Sequence, residues 1–130
     1  VGPHVTLAIF STLITLLAHS MTMFYLIGKG KAIREAVTDG GLPDEFYRAV
    51  ARARRPVFSI GTMAMGVTML TAILGGAVDT NVLPVGVHSL AGLMTIAANI
   101  FAFRVELVAL LLASETVTKV NELLVQVKTD

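Results

Sequence analysis

Three stretches of this chain, residues 4–27, 56–78 and 81–103, contain no aspartate, glutamate, lysine or arginine. Each matches the roughly 20 apolar residues that a helix needs to cross about 30 Å of hydrocarbon. A soluble domain usually carries about 25% charged residues; this chain carries 15%, and 55% of it is hydrophobic. The sequence therefore predicts an all-α membrane protein in which three transmembrane helices form a small bundle. The spans are expected at about 4–27, 56–77 and 88–107 of a single membrane domain, 1–130. The first span lacks a basic leading region and a small-residue cleavage site, and its apolar run exceeds the usual 7–15 or so residues of a signal core. It is expected to be a retained helix.

Charge placement predicts orientation. Residues 28–55 hold Lys29, Lys31, Arg34, Arg48, Arg52, Arg54 and Arg55 against Glu35, Asp39, Asp44 and Glu45, whereas the connection at 78–87 has Asp79 and no base. Basic residues in short connections mark the cytoplasmic side. The N-terminus and the Asp79 connection are thus expected outside, and the basic connection and the C-terminus inside, as in a bacterial inner membrane. Within the basic connection, Asp39-Gly40-Gly41 signals a turn. Pro43, Asp44 and Glu45 then suit the start of a new helix. Phe46, Val50, Ala53 and Val57 share one face of that helix. The expectation is an amphipathic helix along the inner membrane surface, its basic residues at anionic lipid headgroups.

Nothing after His88 breaks a helix, so the third span should continue to about residue 127 as an amphipathic rod. Its stripe of Leu107, Leu110 or Leu111, Val117, Val120, Leu124 and Val127 has no second long cytoplasmic helix expected within this chain. That stripe points to other membrane protein subunits as partners.

Helices in lipid associate through small and polar residues. Each span offers such a row: His4, Ala8, Thr12, Thr15, His19 and Thr22 in the first; Ala64, Thr68, Ala72 and Gly76, with Gly61 and Gly75 beside them, in the second; His88, Gly92, Thr95, Asn99, Ala102 and Glu106 in the third. By helical rise, His19 and Asn99 fall at similar depth, a few Å inward of mid-span. One reading is a structural His19–Asn99 hydrogen bond, with Thr15 or Thr22 as further partners. The other treats an ionisable group inside a span as functional. It would be a quinone site formed by His19, Asn99, Tyr25 and Arg104, with Ser20 and Glu106 near, or ligation of a haem or chlorophyll-type pigment. Tyr25 and Arg104 also suit plain interface anchors, and Glu106 can snorkel toward the headgroups. His4 and His88 share a depth at the outer helix ends and form the one in-chain pair suited to haem b.

The chain has no cysteine, which excludes disulfides, thiolate metal sites and covalent haem attachment. It has no phosphate-binding loop, nucleophile elbow, zinc-protease motif or carboxylate cluster. Its methionines scatter over several faces and read as adaptable packing rather than a metal path. Its basic residues are explained by topology, so no nucleic-acid partner is expected. The function expected is that of a non-catalytic membrane anchor or accessory subunit in a larger bioenergetic, electron-transfer complex. A quinone-, haem- or pigment-binding subunit is the alternative. A small oligomeric transporter or channel, with Thr15, His19, Thr22, Asn99 and Glu106 as a polar path, is a further one.

Overall fold

The computed structural model describes residues 2–129, so Val1 and Asp130 lie outside the described residues. It contains three helices, α1 (Pro3–Asp39), α2 (Glu45–Asp79) and α3 (Val85–Thr129), and no strand among the described residues. All three are long and apolar enough to cross a membrane. They run up, down and up, so α1 and α3 are parallel and α2 lies antiparallel to both.

The helices outrun their apolar windows. The sequence predicts a connection over 28–55, yet only residues 40–44 between α1 and α2 lie outside a helix. Gly28 changes the composition of α1 without ending it. A helical glycine costs up to about 1 kcal/mol relative to alanine. At Gly30 that cost has a use: a Cβ there would lie 3.0 Å from Nη1 of Arg54, so the guanidinium crosses where a side chain would stand. The chain turns at Gly40-Gly41. Gly41 takes a left-handed φ of +61°, and the Leu42 N–H donates to the Val37 carbonyl at 2.9 Å, closing the end of α1. Asn81, with φ 59°, plays the same part after α2, where Val82 N–H donates to the Ala77 carbonyl at 2.9 Å.

A single seam holds the bundle together. The buried residues of α1 are His19, Met23, Leu26, Gly30, Ile33 and Val37, alternating steps of four and three. In α2 they are Val50, Val57, Gly61, Ala64 and Thr68. In α3 they are Asn99, Ala102, Glu106, Ala109, Ala113, Thr116 and Val120, again in steps of three and four. Such a seven-residue repeat is the pattern of coiled-coil packing. The seam starts at the layer of His19, Thr68 and Asn99 and runs to the turn at Gly40.

Two expectations change here. Phe46, Val50, Ala53 and Val57 do form one face, but that face packs into the seam instead of lying on a membrane surface. The helix continues unbroken through Pro56 into the second apolar stretch, with Val50 and Val57 buried on either side of the proline. The amphipathic rod of α3 likewise finds its partner inside the chain. Val120 is 2% exposed, and Val117 and Leu124 pack beside it against the extensions of α1 and α2. Leu124 sits directly over Gly40. The buried stripe is offset from the expected one, since Leu107, Leu111 and Val127 are exposed while Ala109, Ala113 and Thr116 are buried. The C-terminal stripe therefore no longer argues for a second protein.

Candidate functional site

The seam begins with a polar layer. His19 of α1 is completely buried and sits between two residues of α3 that stand seven positions, two turns, apart. Its Nε2 lies 2.8 Å from Asn99 Oδ1, and its Nδ1 lies 2.5 Å from Glu106 Oε1. The Asn99 amide nitrogen donates to the Thr95 carbonyl at 2.8 Å and to Thr68 Oγ1 of α2 at 2.9 Å. Thr68 Oγ1 in turn donates to the Ala64 carbonyl at 2.8 Å. All three helices thus meet in one hydrogen-bonded chain.

Its proton placement follows from counting donors. The Thr95 carbonyl can only accept, and the Thr68 hydroxyl has committed its hydrogen to Ala64, so both demand the NH2 side of Asn99. Asn99 Oδ1 must then face His19, and His19 Nε2 must carry a hydrogen and donate it. One proton remains between His19 Nδ1 and Glu106. With it on nitrogen the pair is imidazolium and carboxylate; with it on oxygen, imidazole and acid. Either way the pair is electrically neutral, which suits its burial. The Phe103 ring stacks on the imidazole with centroids 4.4 Å apart and planes 13° from parallel. Across the seam, Gly61 leaves room for the pair: a Cβ there would be 2.5 Å from Met23 Cε and 3.1 Å from Glu106 Oε1.

A second polar pair lies at the other end of the apolar stretches. His4 of α1 and His88 of α3 face each other with ring centroids 6.3 Å apart and planes at 85°. Clefts of about 380 and about 490 Å³ open beside them, and both are lined by His4, Ala8, Ala72 and His88. His88 seats on the bare backbone of Gly75, where a Cβ would be 3.1 Å from its Cε1. Its Nδ1 is buried without a hydrogen-bond partner.

The remaining candidates are dispersed. Tyr25 is exposed, with the Lys29 ammonium 5.4 Å from its ring centre. Arg104 is exposed at the rim of a separate groove beside Ala53 and Pro56. Neither joins His19 and Asn99 in one pocket. Thr22 Oγ1 bonds back to the Ala18 carbonyl, and Thr15 lines the larger cleft. Among the basic residues, Lys31 pairs loosely with Glu35 at 3.7 Å, Arg48 with Asp44 at 3.8 Å, and Arg34 lies over the Tyr47 ring. Arg52 and Arg55 are exposed, and Arg54 is half-buried over Gly30.

Sequence reasoning missed the partnership of Glu106 with His19, taking the carboxylate for a snorkelling group. Its seven-residue offset from Asn99 was the available signal, because it puts both side chains on one face. No group of three or more potential metal ligands occurs among the described residues. No protein-family model, curated protein or solved structure matches the chain.

Proposed function

We propose that this chain is a non-catalytic integral membrane subunit, an anchor or accessory helix bundle of a larger electron-transfer complex. The observation that carries the reading is the closure of the His19 layer. Both imidazole nitrogens, the Asn99 amide and the Thr68 hydroxyl are committed to one another at a buried three-helix junction. A group so occupied is a strut that fixes helix register, not a reaction centre. Buried polar residues in spans gain partners in this way.

Leu7, Phe10, Leu13, Phe24, Ile73 and Leu93 are each more than half exposed along the spans, a surface suited to lipid or to other membrane subunits. Basic residues gather at one end of the bundle, which supports placing that end at the anionic cytoplasmic face of a bacterial inner membrane and His4 and His88 at the outer face. Native purification from the source membrane in mild detergent tests the proposal. A particle well above the 13.8 kDa of the chain, with co-purifying membrane subunits, is the expected result. A particle containing this chain alone would overturn the subunit reading.

A further inference from the structure

We propose that the open half of the bundle is a binding site for a non-covalent iron tetrapyrrole of the haem b type, with His4 and His88 as its two axial ligands. The inference rests on the membrane reading above but not on any partner subunit.

The first observation is where packing stops. Between Pro3 and Ala18, between Met69 and Asp79, and between Val85 and Ala98, no residue is fully buried. The seam that is continuous from the basic end halts at His19, Thr68 and Asn99, and the helices beyond enclose clefts instead of a core. Those clefts, of about 380 and 490 Å³, fall within the roughly 300–1,000 Å³ of small-molecule sites. Their walls are small and apolar at Ala8, Ala72, Gly76 and Gly92, leaving a slot where larger side chains would have closed the bundle.

The histidines then specify the occupant. Two imidazoles on one metal, each nitrogen about 2.0 Å from it, hold their ring centres roughly 6 Å apart, and here the separation is 6.3 Å. A quinone hydrogen-bonded to both rings, at about 2.8 Å from each nitrogen, would hold them much further apart. His88 Nδ1 is covered by the protein, which leaves Nε2, committed to no hydrogen bond, as the nitrogen that can reach a metal. Gly75 lets the His88 ring lie flush on α2 and restricts its rotation.

The identity of the metal carrier follows from what the site lacks. No third metal-ligating side chain groups with the two histidines among the described residues, so a bare divalent cation would be held by two ligands alone. A tetrapyrrole brings four nitrogens and asks the protein for two. The absence of cysteine from the chain makes attachment non-covalent.

Haemin titrated onto the detergent-purified chain tests the site. Expected are one-to-one uptake, a low-spin spectrum with sharp bands on reduction, and a strongly anisotropic low-spin EPR signal from perpendicular imidazole planes. H4A and H88A should each lose the low-spin spectrum, and H4M should keep it with a raised potential, since methionine is a competent axial ligand. Circular dichroism and detergent gel filtration on each variant separate loss of ligand from loss of fold. Failure to bind haemin beyond a detergent blank would overturn the proposal, as would low-spin bands that survive in H4A and H88A alike. Zinc binding at the pair without haemin uptake would overturn it too. Haemin uptake by the isolated chain stands whether or not partner subunits are found.

Discussion

The His19–Glu106 bond is the interaction on which the bundle should depend most, and a double-mutant cycle measures it. Replacing Glu106 with leucine leaves His19 Nδ1 in a seam where His19 is 0% and Glu106 2% exposed. Replacing His19 with leucine leaves the Glu106 carboxyl and the Asn99 oxygen without their partner. Removing one member of a buried ion pair costs about 3–5 kcal/mol, whereas exchanging the pair for packed apolar groups is often neutral or stabilising. Each single variant should therefore lose about 3 kcal/mol, and the double variant no more than either single. The resulting coupling is at least about 3 kcal/mol, above the roughly 0.6 kcal/mol average of neutral interhelical hydrogen bonds in membranes. E106Q keeps a hydrogen bond, because its amide can donate to Nδ1, but it cannot accept the imidazole proton; it should cost about 1 kcal/mol. Reversible unfolding in mixed micelles with increasing denaturing detergent, followed by circular dichroism, gives all of these values. Coupling below about 0.5 kcal/mol, the scatter of independent sites, would refute the claim that the two residues form a bonded pair.

Gly61→Val places a side chain where Met23 and Glu106 already stand, and should destabilise the bundle by about 1–3 kcal/mol in the same assay. Val120→Asp should destabilise it by several kcal/mol while Val127→Asp changes it by less than about 0.5, since the first is 2% and the second 57% exposed; equal effects would mean that the α3 seam is not internal. Gly41→Val, at φ +61°, should cost about 1–2 kcal/mol, measurable as a lowered unfolding midpoint. A cysteine at Asp79, the only one in the chain, should react with an impermeant thiol reagent applied outside intact cells. Labelling only after lysis would invert the topology.

The architecture was largely legible in the sequence. Charge-free windows and a Gly-Gly turn are one-dimensional signals, and each reports directly on a one-dimensional property: an apolar helix and a break. Helix ends were less legible. At Gly28, composition changes from apolar to basic while α1 continues for three more turns, because hydropathy marks where lipid could end and not where backbone hydrogen bonding does.

The candidate site divides in the same way. Helical rise alone put His19 and Asn99 at one depth, but their bond at 2.8 Å also needs the two parallel helices to turn those side chains toward each other. The partnership with Glu106, the stacking of Phe103 and the seat of His88 on Gly75 depend on how each helix is rotated about its own axis. Rotation is settled by the whole seam at once. The C-terminal rod of α3 shows the consequence: with the helix from Pro43 expected along a membrane surface, the stripe of the rod had no partner in view. Sequence by itself determined that three apolar helices form and where their polar groups lie along them. Tertiary structure alone decided which polar groups meet, because contact requires two helices to agree in rotation as well as depth, and that agreement is written in the packing of all three.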